Sequence, residues 1–470
     1  MDGIASRRTL LAGLFIAMAL SVMVGAAEAS RFQTLVLALA AAAVIATFAC
    51  ARPNLFGVAL VAMLFVPYTW SPTIRNASTP VMVLFALPAG LAGAALIVRR
   101  GRLRLCVLDY LVVALFASVL LSEIVTLSTI GILGARALSH DELQVIVLPY
   151  VAFRLIFAAW PRVIPRIPYA LIITGAGLSL FAVWEELNRT NILAHSSLNN
   201  PQLALWEASY PRAGGIRVDA TMGHPIAFGS FLVIPLVLAF AQRRWGLFAL
   251  IALGEALTLS RGPYVAAIAA LLLFSILTRR IGRLWVLLAA IGVLALFVGP
   301  VRSAVTNSFQ AGTAEQRNAT YRSELLSTSL TSLTLWGKPT GETSEVYGSQ
   351  GQSALTDVTS EFALLSGRQG VLGLTIWIGF LAGFAYTIRE ARKRRDPLLL
   401  IFGVALVGEW VALLSVALIT SFQSAFWLTV ALTAARLSQA APIQHASPSD
   451  LSADAEGPAW RFTSLPEVTG

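Results

Sequence analysis

The sequence predicts an all-α protein, a polytopic transmembrane bundle of 12 to 14 spans with a helical loop on the extracytoplasmic side. Three observations predict it. The chain of 470 residues is 57% hydrophobic and only 12% charged, and its mean hydropathy of +0.75 lies outside the range of soluble globular domains. Apolar runs of about 20 residues, the length that crosses ~30 Å of hydrocarbon, recur along it. Basic residues fall on alternate connections between those runs, as expected of a chain threaded back and forth through a bilayer.

The apolar runs fall at roughly 9–28, 32–50, 54–70, 79–98, 105–127, 141–160, 168–186, 223–241, 245–260, 263–278, 284–300, 364–388, 398–416 and 420–436. With the amino terminus cytoplasmic, the inside loops and adjoining span ends hold 20 basic residues, from Arg7 and Arg8 to the run Arg389, Arg392, Lys393, Arg394 and Arg395. The short outside loops hold 4, namely Arg31, Arg75, Arg136 and Arg261. That bias sets both termini inside in a multi-pass membrane protein. It also accounts for the net charge of +10 without a nucleic-acid partner. Membrane lipids are the partners such a surface needs.

The chain divides accordingly. Residues 1–186 form an amino-terminal bundle, 187–222 a first outside loop, and 223–300 a second group of spans. Residues 301–363 form a large extracytoplasmic loop, 364–436 the last spans, and 437–470 a Pro-, Ser- and Asp-rich cytoplasmic tail of disordered composition. The Arg7–Ala29 stretch has a signal-peptide look, but its length and the apolar run behind it make it a retained first span. Cys50 and Cys106 lie in or beside apolar segments and read as inert core thiols. Asp109, near the inner end of its span, reads as an interfacial partner of Arg102 and Arg104. Other charges fall mainly at span ends.

The polar stretch from Ala311 to Gly370, about sixty residues long, is where the sequence departs most from its apolar surroundings. A chain this apolar does not need such a loop to stay in a bilayer, so the loop points to chemistry or recognition at one face. Three arginines stand at or near membrane re-entry points on that face: Arg217 before His224-Pro225, Arg261 in Ser260-Arg261-Gly262, and Arg317 before Tyr321. Together they suit a diphosphate held by bidentate contacts. A helix start at Arg261 adds its own N–H groups to an anion site. The alternative is that each pairs separately with Asp219, Glu255 or Glu315. His224 before Pro225 reads as a helix-start hydrogen-bonding residue. No His, Asp and Glu cluster has metal-ligand spacing.

These landmarks resemble, in order, those of the O-antigen ligase and polysaccharide polymerase superfamily. They are Arg217 to Pro225 before an apolar helix, the Thr258–Arg261–Gly262 turn, and Arg317 with Tyr321. Gly337-Lys338-Pro339-Thr340-Gly341 and Glu361-Phe362 with Gly370-Val371-Leu372-Gly373 complete the set. The resemblance covers roughly 215–385. It implies a GT-C-like membrane glycosyltransferase that works without a metal or other cofactor. Such an enzyme moves a polyprenyl-pyrophosphate-linked glycan to a hydroxyl of a glycan or glycolipid acceptor at the outer face. On the resemblance, Arg261 and Arg317 hold the pyrophosphate and Arg217 is the arginine before the eighth span, with Arg322 grouped with them.

The sequence departs from the ligase branch at one position. A His usually stands eleven residues before the Gly that matches Gly370, and here that residue is Thr359. Either a carboxylate then serves as the base, with Asp357 and Glu361, spaced i,i+4, as the candidates, or the acceptor needs little activation. The competing expectation is a lipid-linked oligosaccharide flippase or other multi-span transporter, which would place charges inside several spans or show internal repeats.

Overall fold

A backbone surrounded by apolar side chains must satisfy its own hydrogen bonds, and the helix does so within one segment. The computed structural model follows that rule. It describes residues 31–71, 73–74, 77–100, 103–142, 146–191, 210–212, 215–279, 327, 330–331, 333–337, 360–414 and 416–439. Arg317, Arg322 and Asp357, the first apolar run, the run at 284–300 and the tail beyond 439 lie outside the described residues.

The helices, in chain order, are α1 (Arg31–Ala51), α2 (Pro53–Ala62), α3 (Val81–Arg100), α4 (Val107–Glu142), α5 (Leu148–Ala159) and α6 (Ile167–Asn188). After them come α7 (Pro225–Ala241), α8 (Trp245–Leu257), α9 (Arg261–Leu277), α10 (Glu361–Arg394), α11 (Pro397–Leu413) and α12 (Thr420–Ser438). Two short antiparallel hairpins, β1–β2 (Thr73–Ile74, Ala77–Ser78) and β3–β4 (Tyr210–Arg212, Gly215–Arg217), are the strands among the described residues. Segments Val81–Arg99, Pro161–Asn188 and Glu361–Arg394 are long and apolar enough to cross a membrane. Eight further apolar helices run 10–17 residues.

Most helices fall inside the predicted apolar runs, with two differences. Helix α4 continues well past 127, because Ile124 to Leu138 keeps helix-forming composition without a Pro. Helix α5 starts at Leu148, seven residues later than the apolar run, because Pro149 suits the first turn.

Helix α7 is the axis of the bundle. It packs against α6, α8, α9, α11 and α12, and nearly all its residues are buried. A helix apolar on every face is one that is covered on every face. Small residues let the neighbours close in. A Cβ at Gly175 of α6 would meet Pro235 of α7, and one at Gly254 of α8 would meet Ser179 of α6. Gly408 of α11 faces Ala266 and Ala270 of α9 and Val233 of α7. These contacts align the start of α7, the end of α8, the start of α9 and the end of α11 at one end of the bundle.

The opposite end is rich in arginine. Asp109 there accepts from Arg154 Nε (2.8 Å) and Tyr150 Oη (2.8 Å), while Arg154 Nη2 reaches the carbonyl of Arg104 (2.7 Å) and Ser438 Oγ (3.1 Å). The charged partner of Asp109 is therefore Arg154, whose guanidinium also takes the Arg104 carbonyl, while Cys106 N donates to Asp109 Oδ2 (2.7 Å); Arg102 lies outside the described residues. Arg394 and Arg436 tie α10 and α12 together at the same end through Leu437, Gln439 and Asp396.

Two acids break the expectation that charges keep to span ends. Glu255 in α8 is 5% exposed and Glu409 in α11 is 0% exposed. Each sits within the bundle with no hydrogen-bond donor at either carboxylate oxygen.

Candidate functional site

The site lies at the end of the bundle where α7 and α9 begin. Residue Leu259 has φ +50°, a left-handed turn that stops α8 and lets α9 start two residues later at Arg261. The turn is braced from within: Thr258 Oγ1 donates to the Glu255 carbonyl (2.8 Å) and accepts from Ser260 N (3.2 Å). Arg217, at the end of hairpin β3–β4, grips that turn. Its Nε donates to the Thr258 carbonyl (3.2 Å) and its Nη2 to Ser260 Oγ (2.7 Å). The guanidinium is half-buried and bonded to Ser260, the residue before Arg261. Arg217 is thus held at the start of the helix that Arg261 begins, where N–H groups already favour an anion.

His224 caps α7, its Nδ1 accepting from Ile226 N (3.2 Å), as the sequence led one to expect. Gly223, at φ +78°, sits against the Tyr68 ring, so a side chain there would be strained and crowded.

Between Arg217 and His224 the chain is held by two acids, Glu185 and Asp219. The backbone N–H groups of Asp219 and Ala220 donate to Glu185 Oε1 and Oε2 (3.4 and 3.1 Å). Asn191 Nδ2 donates to Asp219 Oδ1, and the two carboxyls are close enough to bond to each other. Burial pushes the Asp219 carboxyl up to about 6, against the lowering effect of its hydrogen bonds and of Arg217. One proton shared with Glu185 satisfies both acids. Nothing in the sequence alone paired Glu185 with Asp219; the link depends on how α6 meets the loop.

Glu361 begins α10, with Ser360 as N-cap accepting from Ala363 N (3.3 Å). Its Oε2 accepts from Leu418 N (2.8 Å), its own N–H donates to the Val416 carbonyl (3.0 Å), and Ser360 Oγ donates to the Leu414 carbonyl (2.9 Å). The carboxylate is 8% exposed and clasps the connection between α11 and α12. That connection belongs to the same end of the bundle as Arg261. Of the sequence-derived site residues, Arg217 is bonded to the residue before Arg261, and Glu361 shares their end.

The glycine landmarks have a physical role. Gly370 interrupts α10 with φ 62° and ψ −148°. Val371 N and Leu372 N then donate to the carbonyls of Thr334 (3.0 Å) and Leu335 (3.4 Å). Gly337, at φ +83°, lies against the backbone of Arg368 and Gln369. Helix α4 completes the joint through Ser118 Oγ to Gln369 Oε1 (2.9 Å) and Ser122 Oγ to the Arg368 carbonyl (2.7 Å).

Compared with family models and with curated proteins, the chain finds no match. What the fold and site define is a helical protein with three helices long and apolar enough to cross a membrane, and with Arg217 bound to the turn before Arg261 at one end of its bundle.

Proposed function

We propose that this protein is a membrane glycosyltransferase of the ligase or polymerase type. On this reading the shorter apolar helices also cross the bilayer, and the Arg217–Arg261 end faces outward. The donor is a glycan on polyprenyl pyrophosphate; the acceptor is a hydroxyl of a glycan or glycolipid. The bond from the anomeric carbon to the pyrophosphate oxygen breaks as the acceptor oxygen bonds to that carbon. The acceptor proton passes to a base, and the pyrophosphate leaves as the anion.

The observation that carries the reading is Arg217 seated on Ser260 beside Arg261 at the start of α9. Two guanidinium groups and a helix start suit the charge that grows on the departing pyrophosphate. Arg317 and Arg322 are proposed to extend the same cluster, and Asp357 or Glu361 to take the proton.

The test is transfer from a lipid-pyrophosphate donor in proteoliposomes, read as release of polyprenyl pyrophosphate. Arg217→Lys and Arg261→Lys should each lower turnover about a hundredfold at unchanged protein level, because Lys keeps the charge and loses the fork. Full turnover in both variants removes the arginines from the reaction.

One observation favours a second reading, a flippase or other transporter: the acids Glu255 and Glu409 inside helices. The same proteoliposomes separate the two. Donor movement across the bilayer without release of polyprenyl pyrophosphate identifies a transporter.

A further inference from the structure

Glu255 and Glu409 come from helices that share the neighbours α7 and α9. Glu255 lies on the buried stripe of α8 with Phe248 and Ile251, at i, i+3 and i+7. It sits three residues before Thr258, about 4.5 Å along the helix from the turn that Arg217 grips. Glu409 follows Gly408, which packs on Ala266 and Ala270 of α9 and on Val233 of α7. Glu255 is close enough for its charge to act on Glu409. No further charged group of α6, α7, α9, α10 or α12 acts on either among the described residues.

Among the described residues, none donates to any of the four carboxylate oxygens. A buried charge without a partner costs several kcal/mol, so two together are untenable without a counter-charge. Hydroxyls at the same end of the bundle are unpartnered as well. Ser230 Oγ is fully buried, three residues before Val233 on the same face of α7, and Thr420 Oγ1 and Ser424 Oγ begin α12. Among the described residues, neither acid has an ion-pair partner.

We propose that Glu255 and Glu409 form a binding site for a monovalent cation, a proton or a sodium ion, beneath the turn that joins α8 to α9 and that Arg217 grips. A single positive charge bound there leaves the pair with at most one net negative charge, and the oxygens present are the ligands that a proton or a hard cation takes. The site is independent of whether the arginines serve transfer or transport.

The test uses the purified full-length chain in lipid nanodiscs. Dicyclohexylcarbodiimide reacts with protonated carboxyls in apolar surroundings, and the adduct is located by peptide mass spectrometry. Labelling of Glu255 or Glu409 should fall severalfold as pH rises, if the occupant is a proton. It should fall severalfold on adding sodium, and not on adding choline, at fixed pH if the occupant is sodium. Melting temperature is the parallel readout, independent of reagent access. It should shift with pH or with sodium in the wild type, and that shift should shrink in Glu255→Gln and Glu409→Gln. Labelling and melting that respond to neither pH nor sodium overturn the proposal. So does a melting shift that persists undiminished in both Gln variants.

Discussion

At the residue scale, single side chains show how a reading from spacing meets the geometry. Glu361 was legible as a landmark, but the sequence did not show that its carboxylate accepts from Leu418 N. A base and a tether are separable here. Gln keeps an oxygen that can accept from Leu418 N and removes the proton acceptor, whereas Ala removes both. Glu361→Gln should therefore leave the melting temperature near wild type while abolishing transfer, if Glu361 is the base. Glu361→Ala should cost about 1–3 kcal/mol by stranding a buried N–H. Full transfer activity in Glu361→Gln leaves Glu361 as a tether alone and moves the role of base to Asp357. Asp219 gives a pH prediction whose sign follows from its raised value. An acid whose folded-state value, about 6, lies above the ordinary 3.8 contributes stability that is complete below the ordinary value. That contribution is lost as pH rises through about 6. Melting temperature should fall across that window, and Asp219→Asn should remove the part of the fall centred there. An unchanged slope in the variant assigns the titration to another group. Glu255 and Glu409 lie inside apolar runs, and the cost of an intramembrane charge was a signal that the reading of charges at span ends passed over.

At the element scale, the helices were legible because their apolar runs are long and few Pro residues interrupt them; their joints were not. Helix α10 reads as one continuous span in composition, yet Gly370 breaks it at φ 62° and receives the backbone of Thr334 to Gly337 in the gap. Hydropathy does not register a backbone-to-backbone contact between residues 33 positions apart. The glycines at 337 and 370 marked the place without giving the reason, which is that any Cβ there would enter the opposing peptide. Gly370→Ala combines a left-handed backbone with a clash against the Thr334 carbonyl. It should destabilise the protein by at least about 2 kcal/mol, read as a lower melting temperature and weaker membrane accumulation. Gly246, where a Cβ meets nothing within 4 Å, is the matched control: Gly246→Ala should be close to neutral. Equal behaviour of the two variants contradicts the proposed joint.

At the scale of the whole molecule, the two ends of the bundle differ in kind. One end gathers Arg154, Arg394 and Arg436 onto carboxylates and helix-end carbonyls. The other holds Arg217 on the Ser260 turn, the Glu185–Asp219 pair and the Glu361 clasp. This is the polarity expected if the arginine-rich end is cytoplasmic, since Lys and Arg near span ends are retained on that side. Every step of the proposed transfer depends on it: a pyrophosphate site formed by Arg217 and Arg261 meets an outward-facing lipid-linked donor only if their end faces out. Reporter fusions at residues 205, 340 and 395 decide the matter. Fusions at 205 and 340 should give the periplasmic or extracellular signal, and the fusion at 395, in the turn between α10 and α11, the cytoplasmic one. The inverted pattern would place the basic cluster on the cytoplasmic side and exclude transfer at the outer face. The buried carboxylates Glu255 and Glu409 would then lie toward the cytoplasmic surface, and their cation would be drawn from that compartment.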